Sequence, residues 1–550
     1  FRDDGRADRR LLENLRAVRE ELVGESGAHE GLVPDVAHDL LARIIFIQFL
    51  FDRKDANGRP ALGEQELRRL NEDGILSARY TTLGHILRHY SDAYRLFRWL
   101  NSKFNGDLFP GKGTTKTQRE AEWRREMQQV QPAHLKLLAL FVEGKLELMK
   151  GRSRQANLWP FYSFDAIPLE FISSIYEVFV GPKKGVHYTP GYLVDFILDG
   201  VLPWEDDDWD LRVLDPACGS GIFLVKVFQR LVHRWRRTHP GEVPRAVLLK
   251  QLLTRNIFGV DIDEHAVRVA SFSLYLAMCD EIDPRHYWNR MRFPPLRGRR
   301  LISADFFDEK AGFRTAGEVG RYDLVIGNAP WGQASATDLA VHWAATHRWP
   351  IANQGIGTLF LAKAAALARP SGRVAMVTSA STLLFNRNKT AEAFRRALFT
   401  FYSFEEVINL SAVRFGVFPN AKSAACIVVF QPVPPTSDRF SYICPKPLAS
   451  GAGGDWIVVE PGDVQTVYSE EAASDPWVWT ALLWGGRRDL ELVRRLSRGP
   501  RLDAHVLHKR KGIVRGDRQK PEPDIVGRHI LEVPEFPANT FLRLRARDLP

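Results

Sequence analysis

Three acids stand at the ends of three short apolar runs: Asp215 in "VLDPACGSGIFL" (Val213 to Leu224), Asp261 in "GVDID", and Asp305 in "ADFF". Around the first of them, Gly219 and Gly221 lack the Cβ that would hold a ligand away from the backbone. A dinucleotide fingerprint would place a third glycine where Leu224 stands, so that a pyrophosphate could sit on the helix N-terminus. An acid at the strand end instead suits a ligand with an ammonium group, which favours S-adenosylmethionine over NAD. Asp261 is then placed to accept from ribose hydroxyls. Asp305 would accept from an adenine amino group, with Phe306 against the ring. Three acids in register after three successive strands point to one ligand lying across the strand ends.

The elements that must position these acids are legible as an alternation. "RVLDPA", "IFGVDI", "LISADFF", "YDLVIGNAP" and "GRVAMVTSA" read as strands, with helices expected from Gly221 and from Glu264, the signature of a doubly wound parallel sheet. "FEEVINLS" and "SAACIVVF" follow closely and predict an antiparallel hairpin on the sheet edge. Before the sheet, Leu11, Leu15, Val18 and Leu22 share one helical face and Val36 to Phe51 continue the period, so an all-helical domain is expected. The proline-rich "QPVPPTSD" (Gln431 to Asp438) reads as a linker. The expected division is therefore residues 1–157 helical, 158–435 catalytic, and 436–550 linker and further region.

The bulk properties narrow the partners. At 550 residues the chain exceeds a single core. Its formal net charge of +10 favours a polyanion, nucleic acid first. Four cysteines (Cys218, Cys279, Cys426 and Cys444) form no CxxC pair, so neither a disulfide framework nor a metal site is expected, and a reducing cytoplasm fits. The run "LLARIIFIQFLF" is too short for a bilayer and is broken by Arg43 and Gln48; no membrane is expected. The chain opens on Phe1 and ends without a recognisable terminus, so further residues are expected on either side.

"GVHYTP" (Gly185 to Pro190), "DPACGSG" and "NAPW" (Asn328 to Trp331) stand in an order that resembles the S-adenosylmethionine-dependent DNA adenine-N6 methyltransferases of the γ arrangement, roughly from Leu158 to Pro432. The helical N-terminus and "IPLEFISSIYEVFVG" further resemble the large methyltransferases of type IIG restriction-modification and phage-defence systems. The resemblance implies a Rossmann-like, seven-stranded, mostly parallel sheet with an antiparallel edge hairpin, preceded by a helical domain and followed by part of a target-recognition region. It also assigns residues. Thr189 would hold the methionine carboxylate, and Asp215 with the Gly219 to Gly221 backbone its amino end. Asp261 would take the ribose, and Asp305 with Phe306 the adenine. Tyr188, Pro190, Pro216, Ala217 and Ile262 would line the pocket.

The resemblance also gives "NAPW" a chemistry. An adenine amine is a poor nucleophile because its lone pair is delocalised into the ring, and two acceptors on its hydrogens draw the nitrogen towards tetrahedral geometry. Asn328 and the Ala329 carbonyl would be those acceptors, and Trp331, an indole expected at the surface, would stack on the extruded base. The usual motif has proline where this chain has Ala329. A backbone carbonyl remains, and Pro330 restricts Ala329 to extended conformations, so a slower enzyme is expected. The rival reading is a scaffold that senses DNA, or recruits partners in a defence complex, without turnover.

Other chemistries fit less well. Cytosine C5 transfer needs a Pro-Cys nucleophile, and no Pro-Cys occurs in the chain. Pro34-Asp35 and Glu143-Gly144-Lys145 lie in helical pattern and do not predict a nuclease. Double-stranded DNA is the expected partner, with other subunits of a defence complex as further candidates. Phosphate contacts are expected from "HKRKGIVRGDRQK", in particular Lys509, Arg510, Lys511 and Arg515, with Arg285 to Arg300 second.

Overall fold

The computed structural model describes residues 7–24, 30–104, 109, 116–150, 153–166, 189–309, 319–331, 334–418, 421, 423–447, 457–499, 528–531 and 542–545. The chain forms two compact units, Phe1–Ser474 and Asp475–Pro550.

In the first unit the apolar spacing of helix α1 (Ala7–Val23) buries Leu11, Leu15, Val18 and Leu22 completely. Helix α2 (Pro34–Asp52), which opens with Pro34 in its first turn, holds the apolar run and is buried on most of its circumference, as expected of a core helix. No described helix is long and apolar enough to cross a membrane. Arg43 interrupts this helix without exposing it, because its guanidinium pairs with the buried Glu126 at 2.8 Å and lies 4.9 Å from the Phe97 ring. That pairing holds the arginine pKa above its usual value although burial alone would lower it.

The same helix packs against the helix Glu264–Asp280 and the segment that leads into the strand Leu301–Ser303. The Phe46 ring meets Phe272 at 6.4 Å and Phe293 at 6.1 Å, and Trp288 Nε1 donates to the Ala61 carbonyl at 3.1 Å. The helical region and the sheet thus share one apolar core.

The sheet has nine strands, in the spatial order β9-β8-β6-β7-β5-β4-β1-β2-β3. They are β1 (Val213–Asp215), β2 (Ile257–Asp261), β3 (Leu301–Ser303), β4 (Tyr322–Asn328), β5 (Ala368–Ser379), β6 (Ser403–Asn409), β7 (Ala425–Gln431), β8 (Arg439–Ile443) and β9 (Val464–Tyr468). Strands β1 to β5 pair in parallel. β7 is antiparallel to both β5 and β6, β8 is parallel to β6, and β9 is antiparallel to β8. The five strands expected from the sequence are all present; β1, β2 and β4 are apolar runs buried on both faces, and β5 becomes so from Val374 onward.

Three expectations are corrected. The region before the sheet is helical but not all-helical, since Leu148–Lys150 and Ser153–Gln155 pair as a short antiparallel hairpin. The hairpin expected on the sheet edge is real but is not an edge: β7 inserts between β5 and β6, and β8 and β9 lie beyond. The sheet also has nine strands where seven were expected, because residues after the proline-rich stretch extend it. Only Phe440 and Tyr442 of β8 are buried, so no apolar run announces the strand, and Asn409 Nδ2 donates to the Tyr442 hydroxyl at 2.8 Å to fix it.

The chain runs outward through β1, β2 and β3 and then returns to β4 on the other side of β1. This reversal creates a crevice at the carboxyl ends of β1 and β4, where ligands bind in open α/β sheets. Asp215 ends β1 and Asn328 ends β4.

The second unit contains helices Val478–Trp484 and Arg487–Ser497 and an antiparallel pair, Arg528–Leu531 with Leu542–Arg545.

Candidate active site

Asp215 is buried, 1% exposed, yet only half satisfied. The Ala217 backbone N–H donates to its Oδ1 at 3.1 Å, while Oδ2 has no hydrogen-bond partner among the described residues. Burial pushes its carboxyl well above the usual range and the nearby Asp261 adds to this, against the Ala217 N–H. A buried polar atom without a partner is costly, and a cationic ligand group would relieve it. Gly327, inside β4, makes the room: a Cβ there would run into the Asp215 carboxylate and stand 3.4 Å from Pro216 Cδ. A lone glycine within an apolar strand signals such an approach, and the sequence reading had passed over it.

The glycine turn is held from β2. Gly219 (φ +52) donates its N–H to Asp261 Oδ2 at 2.9 Å, the Asp263 N–H donates to Oδ1 at 2.8 Å, and the Cys218 N–H donates to the Val260 carbonyl at 2.9 Å. Gly221 (φ +89) opens helix α3 (Ile222–Thr238), where a Cβ would lie 3.0 Å from Ala270 of helix α4 (Glu264–Asp280). Asp261 therefore braces the turn.

At the end of β3, Asp305 accepts from the Phe307 N–H at 2.9 Å and from the Thr337 hydroxyl at 2.6 Å. Thr337 in turn caps helix α5 (Asp338–Thr346). Phe306 is buried and stacks on Phe360 of helix α6 (Gly357–Leu367), with ring centroids 5.0 Å apart.

The end of β4 is arranged differently. Asn328 Nδ2 donates to the Thr189 hydroxyl at 3.0 Å, and Asn328 Oδ1 accepts from Trp331 Nε1 at 2.7 Å. An indole N–H can only donate, so this contact fixes which end of the amide is the oxygen. Trp331 is 2% exposed and meets the Phe418 ring edge-on at 5.4 Å, so the indole expected at the surface is buried. Phe418, from the segment between β6 and β7, was not singled out in the sequence because its contact with the motif is long-range. Gly357 lies so close that a Cβ would stand 2.7 Å from the Pro330 carbonyl. Ala329 is buried.

Of the remaining expected residues, Thr189 and Pro216 are buried, Pro190 and Ala217 are half-buried, and Ile262 is 71% exposed. Tyr188, Lys509, Arg510, Lys511 and Arg515 lie outside the described residues. In the second basic cluster Arg285 pairs with Asp283 at 3.0 Å, Arg297 with Glu264 at 3.4 Å, and Arg300 lies over the Phe258 ring. Asp35 pairs with His265 and Arg268, and Glu143 with Arg88 and Lys145, none of them on a sheet strand.

The sheet order brings the acids at the ends of β1 to β3 and the amide at the end of β4 to one side of the sheet. Residues 255–418 match the family model of the Eco57I restriction-modification methylase, and residues 207–299 that of the MmeI DNA-methyltransferase domain. The resemblance to the large restriction-modification methyltransferases drawn from the motifs is borne out by these matches. The adenine-specific methyltransferase PglX of Streptomyces coelicolor is 29% identical over 173 residues, 26% of this chain and 14% of that protein. The type II methyltransferase M.PaeR7I of Pseudomonas aeruginosa is 27% identical over 157 residues, 27% of this chain and 23% of that protein. Among solved structures, the type IIL restriction-modification enzyme MmeI in complex with DNA is 15% identical with a TM-score of 0.49, over 83% of this chain and 60% of that one. The aligned stretch thus spans less than a quarter of either curated relative described above.

Proposed function

We propose that the chain is an adenine-specific DNA methyltransferase that transfers a methyl group from S-adenosylmethionine to the N6 of an extruded adenine, acting on double-stranded DNA in the cytoplasm within a restriction-modification or phage-defence system. The observation that carries this reading is the adjacency, across the β1/β4 crevice, of a buried acid with one oxygen unpartnered among the described residues and an amide at the end of the neighbouring strand.

The residues present fit the cofactor. Asp215 Oδ2 would take the ammonium group, Thr189 the carboxylate, Asp261 the ribose hydroxyls, and Asp305 with Phe306 the adenine; Tyr188 and Pro190 would close the pocket. When bound, S-adenosylmethionine supplies an electrophilic methyl group and needs no metal ion to activate it. Asn328 Oδ1, oriented by the hydrogen bond from Trp331, would with the Ala329 carbonyl accept the two hydrogens of the target amine. Trp331, held against Phe418, fixes the direction of the amide oxygen and forms a wall of the base pocket.

Recognition of the target sequence would fall to residues after the sheet, including Lys509, Arg510, Lys511 and Arg515, and further subunits would join through surfaces of the same region. The reading is tested by calorimetry with S-adenosylmethionine. The wild-type chain should bind it, and Asp215→Asn, which keeps the side-chain shape but removes the charge, should weaken binding about ten- to a hundredfold. Equal affinity in the two would remove Asp215 from the cofactor site.

A further inference from the structure

Lys363 lies on α6, in the otherwise apolar "TLFLAKAAALA". Its side chain is 0% exposed, and its Nζ has no hydrogen-bond partner among the described residues. The ammonium is enclosed by rings, at 5.1 Å from the centroid of Phe306, 5.2 Å from Phe307 and 5.8 Å from Trp343. Its nearest carboxylate, Glu309, is 3.7 Å away, beyond hydrogen-bond reach, and is itself 42% exposed. A methionine would fill the same volume without the cost of burying a charge, and Glu309 is a poor counter-ion to justify one. What the ammonium does have beside it is the end of β3: the Phe306 ring under its charge, and Asp305 among the carboxylates whose field acts on it.

We propose that Lys363 is a positioning residue of the cofactor pocket, its buried ammonium holding the Phe306 ring against which the adenine packs. The proposal rests on the reading of this crevice as an S-adenosylmethionine site. The groups facing Lys363 are Asp305, Asp308 and Glu309 from the segment after β3 and the rings of Phe306, Phe307 and Trp343; His347 stacks on the far side of that environment, against Trp343 at 4.4 Å. Its own helix carries no other titratable group.

Burial lowers the lysine pKa to about 8, against the opposing pull of Glu309, Asp305 and Asp308. The charge is therefore present below about pH 8 and is lost as the pH rises through it. A side chain that merely fills space would give no such dependence.

The probe is 5′-methylthioadenosine, which carries the adenine and ribose of the cofactor but no amino group that titrates in this range. Its affinity for the wild-type chain should fall about tenfold as the pH rises from neutral to well above the lysine pKa. Lys363→Met should bind about tenfold more weakly at neutral pH, with no further fall. Lys363→Arg, whose guanidinium stays charged, should bind tightly at neutral pH and lose the fall. The proposal is overturned if the alkaline fall persists in either variant, or if Lys363→Met binds like the wild type at neutral pH; should the methionine variant not fold, the arginine variant decides alone. Failure of the wild type to bind S-adenosylmethionine at any pH would overturn the cofactor reading and this proposal with it, whereas normal cofactor binding with an unaltered pH profile in Lys363→Arg overturns this proposal only.

Discussion

The two strands that flank the crevice end in opposite states. At the end of β1, Asp215 is buried with one oxygen unpartnered among the described residues, and burial pushes its carboxyl well above the usual range. At the end of β4, the amide of Asn328 is engaged at both ends, by Thr189 and by Trp331. The first arrangement is incomplete until a positive group arrives. The second is held in one orientation, its oxygen by the indole and its nitrogen by the Thr189 hydroxyl. Cofactor capture and base activation are therefore expected to separate cleanly in variants, although the two groups stand on adjacent strands.

The largest effect should come from the β4 side. Asn328→Ala removes a preorganised acceptor and should lower turnover by about two to three orders of magnitude, with S-adenosylmethionine affinity nearly unchanged by calorimetry. A comparable loss of cofactor affinity would mean that the two strand ends act as one unit.

Next in size is the acid dependence of the β1 side. Because the pKa of Asp215 is raised, cofactor affinity should decline as the pH falls through it, since the protonated acid loses the charge that the ammonium needs. Asp215→Asn should bind weakly at every pH and lack this acid limb. An acid limb of equal size in the variant would assign it to another group. A smaller loss is expected from Gly327→Ala, whose Cβ would displace the Asp215 carboxylate: cofactor affinity should fall by roughly tenfold while the chain still folds, and wild-type affinity there would show that the carboxylate can move aside.

The smallest effect tests the lock on Asn328. Trp331→Phe keeps an aromatic ring against Phe418 but removes the N–H, a single hydrogen bond of about 1 kcal/mol, so single-turnover methyl transfer should slow by about fivefold with the DNA affinity unchanged. A loss confined to DNA affinity would return Trp331 to a stacking role only.

Much of this site can be read in the sequence because the relevant strands are buried on both faces and so appear as apolar runs, each ending abruptly in a polar group: Asp215, Asp261 and Asn328. Chain order alone then places the acids in register. What could not be read depends on residues far apart in the chain. Trp331 looks like a surface indole until Phe418 is brought against it from beyond β6. β8 presents only two buried side chains, so its place is set by pairing with β6 and not by its own pattern. The packing of α2 on α4 and the segment before β3 through Phe46, Phe272 and Phe293 is equally invisible from the helical period, which says that a face is buried but not against what. Two signals were present but passed over: Gly327 within β4 and Lys363 within an apolar helix, each a residue type out of keeping with its surroundings.

The most direct measurement of the proposed activity is label transfer from S-adenosylmethionine carrying a marked methyl group to mixed-sequence double-stranded DNA, followed by digestion to nucleosides. The expected result is label in N6-methyldeoxyadenosine, reduced by about two to three orders of magnitude with Asn328→Ala. Label on cytosine, label on protein alone, or cofactor binding with no transfer to DNA would contradict the assignment of the crevice to adenine methylation.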